Sequence, residues 1–288
     1  MTNPFKPPPN EAPGAAQPNS AAAGTENFDT STHENFYEYY KNASLSPATL
    51  QRFEAIADAV MRMRSPSSKE RALDVLDIGC GAGTQSRFWA DKGHCYLGVD
   101  INEPLIQLAR ERAQAEGRVA RFEVSSATLL PFADASFDIC LIPELLEHIS
   151  DWEICLNEAS RVLRPGGMMY ISTTNWLCPK QQEYNLFAYS WYPGFAKRYV
   201  EKRAFSDWPE VANFAKYPAV HWFSFYQLSR FLAARGFKSY DRFDIMRLDN
   251  KSSAQRAVVS VLRAVAPLRF AGHVLTAATT LVAKRGDI

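Results

Sequence analysis

An acid and three closely spaced glycines follow an apolar run in residues 75–86, which read VLDIGCGAGTQS. The apolar run favours a buried strand, and glycine lets the backbone turn and lets a ligand approach without a Cβ clash. The acid is Asp77, and the glycines are Gly79, Gly81 and Gly83. The pattern predicts a strand, a ligand-binding loop and a helix capped by Thr84. Its G-x-G-x-G spacing differs from the G-x-G-x-x-G of dinucleotide sites.

Asp77 indicates which ligand the loop binds. In a dinucleotide site a helix N-terminus receives a pyrophosphate, and a carboxylate at this position would repel the two phosphate charges. S-adenosylmethionine carries no phosphate, and its ammonium and sulfonium would be attracted by an acid here. A second acid, Asp100, ends another apolar run 21 positions after Gly79. That distance is typical of a carboxylate that accepts hydrogen bonds from ribose hydroxyls.

Three further motifs follow in order: LLPFADASFD at 129–138, ELLEHI at 144–149 and RVLRPGG at 161–167. With the glycine loop and Asp100, residues 72–176 resemble the class I S-adenosylmethionine-dependent methyltransferases. The resemblance implies a Rossmann-like α/β fold, with seven strands of which the last is antiparallel and helices on both faces. It implies cofactor contacts at Asp77, Gly79, Cys80, Gly81, Gly83, Asp100, Ile101, Ser126 and Ala127. Many members have Asp-Ala where this chain has Ser126-Ala127, so the contact to adenine differs.

The candidate catalytic residues lie in an E-x-x-E-H segment and later in the chain: Glu144, Glu147, His148 and His221. Glu144, Glu147 and His148 share one face if their helix is regular. Histidine suits a general base near neutral pH. Similar segments occur in ubiquinone-pathway O-methyltransferases and small-RNA 2′-O-methyltransferases, where the resemblance implies a divalent metal. His221 could then complete a four-ligand set, but we do not favour the metal, since many metal-free methyltransferases carry a similar segment.

Strand-like and helix-like segments alternate from residue 72 onward, which predicts a parallel sheet covered by helices. We predict a disordered tail over 1–30, a helical cover over 31–70 and a methyltransferase domain over 71–288, with a substrate insertion at 175–220. In the cover, one face of a helix over 47–64 is apolar. Late strands are predicted at 237–246 and 279–283. Residues 254–273 are apolar but contain Arg256, Arg263 and Arg269, which could reach the headgroups of a bilayer or face solvent.

The composition limits which kinds of partner and which cellular compartment we expect for this protein. The 288 residues are 47% hydrophobic and carry a net charge of +1, which is enough apolar content for a core and too little charge to indicate a polyanion partner. Five scattered cysteines without C-x-x-C spacing argue against a disulfide framework or structural zinc, and the N-terminus lacks an apolar signal region. We therefore expect a cytoplasmic protein, with peripheral membrane contact as an open alternative.

The favoured function is S-adenosylmethionine-dependent O-methylation of a small or lipid-linked acceptor. An RNA 2′-O-methyltransferase is a rival, supported by the E-x-x-E-H segment and opposed by the neutral net charge and the lack of an RNA-binding module. A dehydrogenase is disfavoured by the glycine spacing and Asp77. A non-catalytic protein on the same fold is disfavoured by the intact loop. Oligomeric state and acceptor identity stay open.

Overall fold

A seven-stranded sheet forms the centre of the computed structural model, which describes residues 41–42, 44–64, 71–180, 183–204, 206–212, 219–249 and 251–287. The strands are β1 (Asp74–Ile78), β2 (Cys95–Asp100), β3 (Ala120–Val124), β4 (Phe137–Pro143), β5 (Leu163–Thr174), β6 (Phe237–Asp241) and β7 (Ala278–Arg285). Their order is β3-β2-β1-β4-β5-β7-β6, and β7 runs antiparallel to both of its neighbours. The predicted fold class, including the antiparallel last strand, is confirmed.

The central strands are apolar because both faces of the sheet are covered. In β1, Leu76 and Ile78 belong to the core on one face, whereas Val75 belongs to the core on the other. Asp77 also lies on the second face, and it is the one buried acid of the strand, since Asp74 at the start of β1 is partly exposed. A buried acid at this point is a functional candidate, since an unpaired buried charge is costly.

Nine α-helices are described: α1 (Pro47–Met63), α2 (Ser86–Trp89), α3 (Glu103–Ala115), α4 (Trp152–Val162), α5 (Gly194–Ala204), α6 (Phe225–Ala233), α7 (Arg242–Ile245), α8 (Ser253–Ala264) and α9 (Ala266–Val274). The side chain of Ser46 caps α1, and Pro47 occupies its first turn. The predicted apolar face of α1 is confirmed, because Ile56, Ala57 and Val60 are buried in the core.

Two predicted boundaries were wrong. The strand expected over 237–246 ends at Asp241, because the Asp241 side chain accepts hydrogen bonds from the amides of Phe243 and Asp244 and so starts α7. Thr84 does not cap the helix after the glycine loop, since that helix begins at Ser86 and no side chain caps it. Asp241 ends the strand because its short polar side chain bonds to the backbone that follows, whereas the Thr84 hydroxyl makes no capping bond.

The segment after β5 builds a small core of its own. Tyr184 and Tyr189 stack with their ring centroids 3.9 Å apart and pack with Val200 of α5. Asn175, at the start of this segment, donates from Nδ2 to the carbonyls of His273 (2.8 Å) and Thr276 (2.7 Å). The segment is therefore tied to the end of α9. The predicted tail over 1–30, and 31–40, 43 and 65–70 of the predicted cover, lie outside the described residues.

Helices α8 and α9 form a bent pair with an angle of 109°. No single helix in the described part of the chain is long and apolar enough to span a bilayer, and α8 and α9 meet that criterion only when taken together. The sequence allowed all three arginines of this helix pair to reach lipid headgroups, but two of them bond within the protein. Arg263 donates to the carbonyl of Phe243 (2.8 Å), and Arg269 pairs with Asp241 (2.6 Å), so only Arg256 is exposed.

Candidate cofactor and acceptor site

The glycine loop after β1 is shaped by positive φ angles and by close neighbours. Gly79 and Gly83 have φ of 75° and 69°. A Cβ at Gly79 would lie 2.8 Å from Leu145 Cδ1, and one at Gly83 would lie 2.5 Å from Phe122 Cε1. A larger residue would be strained and would clash at either position. The loop is therefore held against the segment that follows β4.

Asp100, at the carboxyl end of β2, is bonded to the loop. Its Oδ2 accepts from the Gly81 amide (2.8 Å), and its Oδ1 accepts from the Asn102 amide (2.9 Å). Burial raises the pKa of this carboxyl, although the backbone amides oppose that shift. Each carboxylate oxygen has a second lone pair. Asp100 can thus hold the loop and still accept from the hydroxyls of a ribose.

Asp77 lies beneath the loop and is only 1% exposed. Its two oxygens accept hydrogen bonds from the Tyr96 hydroxyl (2.5 Å) and from Gln85 Nε2 (3.1 Å). Burial raises the pKa of Asp77 to about 7, against the effect of the Tyr96 bond. Because Asp77 is buried, it offers a ligand no open surface for direct contact, and Gln85 lies between it and the rest of the loop's helix.

Two unpartnered side-chain atoms directly after the glycine loop test whether it fits S-adenosylmethionine. Thr84 Oγ1 and Gln85 Oε1 are buried and have no hydrogen-bond partner among the described residues. Buried polar atoms are normally bonded to protein, water or ligand. Both can accept a hydrogen bond, and an ammonium group needs acceptors. The donor and acceptor set around the loop therefore fits an amino-acid cation joined to a nucleoside.

Of the remaining predicted cofactor residues, Cys80 lies in the loop, Ile101 follows β2, and Ser126 and Ala127 follow β3. Cys80 packs on Gly98 of β2. A Cβ added at Gly98 would lie 2.7 Å from the Cys80 sulfur. Ile101 is 43% exposed directly after Asp100, so its side chain is available to a ligand. Ser126 shares a hydrogen bond with Thr128, 2.8 Å between hydroxyl oxygens, while Ala127 packs on the core.

A narrow cleft opens where β4 and β5 end. Its lining consists of three glutamates, two threonines and two alanines: Glu144, Glu147, Glu183, Thr173, Thr174, Ala277 and Ala278. Glu144 has a φ of 53° and accepts from the Ser172 hydroxyl at 2.8 Å. Leu145, which contacts Gly79, is the next residue along the chain. The acidic cleft therefore adjoins the glycine loop.

The carboxyls of the cleft are held in a low-dielectric environment. Glu147 is 2% exposed and accepts from the Thr173 hydroxyl at 2.8 Å. Burial, and then the charge of Glu144, raise the pKa of Glu147 well above its ordinary value. The same two causes raise the pKa of Glu183 to about 7. A carboxyl that titrates near neutrality can accept a proton from a substrate hydroxyl.

Sequence reasoning did not find Glu183. It lies in the predicted substrate insertion, where no motif surrounds it and where the aromatic and basic residues are the more conspicuous feature. Its proximity to Glu144 arises only because the insertion returns to the carboxyl edge of the sheet. A signal was available in the position of the insertion, since ligands of open α/β sheets bind at that edge.

The two predicted histidines adjoin the cleft without lining it. Burial lowers the pKa of His148 to about 4, so its ring is neutral at neutral pH and is a weak base. His221 has Nε2 3.2 Å from the Ser150 carbonyl, and its backbone amide donates to Glu147 O. The base is therefore better sought among the glutamates.

The expected alignment of Glu144, Glu147 and His148 on one helix was wrong. Only a single 3₁₀ turn forms, over Leu146–His148, and Glu144 precedes it in a left-handed conformation. Within the described residues, no three His, Cys, Asp or Glu side chains are grouped so that they could hold a metal ion. The four-ligand set with His221 is thus not assembled among the described residues.

Comparison with known sequences places the similarity in the first part of the sheet. Residues 76–171 match a family described as a methyltransferase domain. A ubiquinone biosynthesis O-methyltransferase of Rhizobium rhizogenes is 39% identical over 114 residues, which cover 39% of this chain and 46% of that protein. An uncharacterized methyltransferase of a Mycobacterium species is 44% identical over 106 residues, 36% of this chain and 40% of that protein. The chain spans about half or less of the length of these relatives.

Solved structures show the same fold over most of the chain. A Pyrococcus horikoshii protein superposes with a TM-score of 0.54 at 19% identity, covering 86% of this chain and 98% of that one. An S-adenosylmethionine-dependent methyltransferase of Mesorhizobium loti gives a TM-score of 0.51 at 21% identity, covering 78% and 95%. At these identities the likeness concerns the fold alone.

Proposed function

We propose that this chain, whose core domain belongs to the class I S-adenosylmethionine-dependent methyltransferases, methylates an oxygen of a small or lipid-linked acceptor. One observation carries the proposal: the glutamate-lined cleft adjoins the glycine loop, because Leu145 contacts Gly79 and directly follows Glu144. The relatives named ubiquinone biosynthesis O-methyltransferase support oxygen as the acceptor atom. We further propose that the protein acts in the cytoplasm, where its acceptor is soluble or membrane-associated.

The glycine loop and Asp100 would hold the cofactor in this scheme. When bound, S-adenosylmethionine supplies a methyl group that a sulfonium already activates. The protein then needs mainly to position the acceptor and exclude water. Asp100 would accept from ribose hydroxyls, and the acceptors at Thr84 and Gln85 would receive the ammonium. Asp77 would contribute negative charge beneath that ammonium.

Glu183 is the base in this proposal. An acceptor hydroxyl loses its proton as its oxygen is methylated, and a carboxyl with a pKa of about 7 is suited to take that proton. Glu144, bonded to Ser172 and 3.5 Å from Arg52, lies close enough to Glu183 for its charge to help raise the pKa of that carboxyl. Glu147, buried against Thr173, would stay protonated and donate a hydrogen bond to the acceptor.

Transfer of a labelled methyl group to fractions of a cell extract tests this function. We expect label from S-adenosylmethionine to enter a small-molecule or lipid fraction, with an excess of chelator leaving the rate unchanged. Glu183→Gln should lower kcat by about 100-fold or more while S-adenosylmethionine affinity stays unchanged. Glu153→Gln, on the exposed side of α4, is the matched control and should keep full activity.

Four outcomes would count against the proposal. Label that enters only RNA would favour the RNA 2′-O-methyltransferase, and activity lost to chelator and restored by a divalent ion would favour the metal-dependent alternative. A Glu183→Gln enzyme with unchanged kcat would remove Glu183 from its role as base. No labelled product in any fraction, with S-adenosylmethionine bound, would favour a non-catalytic protein.

A further inference from the structure

Helices α8 and α9 present apolar side chains that the rest of the described chain leaves exposed. Its exposed aliphatic side chains, which we call the hairpin face, are Val258, Val261, Val265, Leu268 and Leu275. Val258 and Val261 share one side of α8, whose only buried residue is Val259, and Val265 follows as its C-cap. Surface helices of soluble proteins normally turn charged or polar residues toward water. The hairpin face does the opposite, which marks it as an interaction site.

Every charged side chain of α8 and α9 is a cation. The sequence contains no Asp or Glu from residue 251 to residue 286. Among the exposed residues of α8 and α9, all of which the structure describes, Arg256 is the only charged one. Lys251 lies just before α8, and its carbonyl accepts from Arg256 Nε at 2.9 Å. An apolar face with cations at one end is complementary to an anionic, amphipathic surface.

We propose that the hairpin face docks the protein on an anionic phospholipid bilayer. The 109° bend between α8 and α9 is unsuited to a straight crossing, so the pair would lie in the interface plane. A second copy of the chain fits less well. A two-fold contact sets a patch against itself, which would bring Arg256 and Lys251 near their own copies without any acid in the patch.

Docking would bring the bilayer close to the acidic cleft. Leu275, which is 80% exposed, is two residues before Ala277 in the cleft lining. Asn175 bonds to the carbonyl of Thr276, and the next residue, Trp176, is 42% exposed. Tryptophan favours the membrane interface because its ring is amphipathic. If the proposed function holds, a lipid-linked acceptor could pass from the bilayer to the cleft without crossing water.

Vesicle co-sedimentation tests the docking without cofactor or acceptor, so its result is independent of the proposed function. We expect the full chain to bind phosphatidylglycerol vesicles more tightly than phosphatidylcholine vesicles, with binding weakened by salt. Val258→Glu combined with Leu268→Glu should lower the partition coefficient at least 10-fold. Val119→Glu is the matched control, since Val119 is 90% exposed beside β3 at the opposite edge of the sheet and should bind as the wild type does.

A second pair of substitutions separates charge from apolar contact. Lys251→Glu combined with Arg256→Glu should abolish the preference for phosphatidylglycerol while circular dichroism shows an unchanged fold. The proposal is overturned if the wild type stays in the supernatant with every vesicle composition, or if the Val258→Glu and Leu268→Glu variant binds as well as the wild type. It is also overturned if ultracentrifugation finds a dimer that this variant disperses, because the occupant is then a second copy.

Discussion

At the scale of single residues, burial decides which groups can do chemistry. His148 has the side chain that suggests a base, but its buried ring has a pKa of about 4. Glu183 has a side chain that is ordinarily far too acidic, yet burial and the charge of Glu144 raise its pKa to about 7. The environment therefore reverses the roles that the residue types suggest.

Asp100 provides a test of the cofactor site. Asp100→Ala removes a carboxylate that binds the Gly81 amide and is placed to accept from ribose hydroxyls. We expect S-adenosylmethionine affinity, measured by isothermal titration, to fall by about 2 to 3 kcal/mol, the range for charge-assisted hydrogen bonds. Asp249→Ala, whose side chain is 71% exposed, is the control. Unchanged affinity in Asp100→Ala, or tight binding of a nicotinamide dinucleotide, would contradict the assignment.

At the scale of elements, one ionic cluster fastens α9 to the end of β6. Asp241 is fully buried and accepts from Arg269 Nε at 2.6 Å and from His273 Nε2 at 2.8 Å. Burial alone would raise the pKa of Asp241, but hydrogen bonds from His273 and Arg269 hold it well below its ordinary value. The cluster fixes the position of α9, and with it the hairpin face and the cleft residue Ala277.

Arg269→Met should destabilise the protein by about 3 kcal/mol, because it leaves the buried Asp241 charge short of a partner. Urea unfolding at pH 7 measures this, with the exposed Arg256→Met as control at less than about 0.5 kcal/mol. The Asp241 pKa is lowered on folding, so the ion pair stabilises above the ordinary carboxyl pKa and is lost as the pH falls below it. The difference between wild type and variant should therefore shrink below about pH 4. A difference that is the same at pH 3 and pH 7 would contradict the ion pair.

At the scale of the whole molecule, we expect the buried acid beside the glycine loop to lower the free energy of unfolding. Asp77 is a buried carboxyl that Tyr96 and Gln85 compensate only in part, as its pKa of about 7 indicates. Ligand sites commonly contain buried groups that lower the stability of the free protein, because the bound ligand provides the hydrogen-bond or charge partner that the protein lacks. A bound cation would restore the balance and stabilise the folded chain.

Asp77→Asn tests whether Asp77 lowers stability while it favours cofactor binding. The Asp77 pKa is raised on folding, so the folded state binds the extra proton and wild-type stability falls as the pH rises from about 4 to 7. At pH 8 the variant should be more stable than the wild type by up to about 4 kcal/mol, with the gap closing toward pH 4. Its S-adenosylmethionine affinity should fall at the same time. Urea unfolding at both pH values measures the difference, with the exposed Asp134→Asn as control. A variant less stable than the wild type at pH 8 would contradict the expectation.

Features encoded in neighbouring residues were readable from the sequence. The alternation of apolar strands and helices predicted the sheet, because burial on both faces requires continuous apolar runs. Gly79 and Gly83 predicted the loop, since only glycine adopts their backbone angles next to Leu145 and Phe122 at no cost. Asp100 was readable because it ends a strand at the carboxyl edge of the sheet.

The tertiary structure alone decided what distant residues do together. Glu183 reaches Glu144 only through the path of the insertion, and that meeting sets its pKa. Arg269, on a helix later in the chain, pairs with Asp241. The sequence had allowed Arg269 to face solvent or lipid headgroups, and this pairing turns it inward. Local propensity acts over a few residues, whereas burial and charge depend on the whole packed chain. The sequence by itself therefore determined the fold and the cofactor loop, and only the packed structure selected the acidic cleft and exposed the hairpin face.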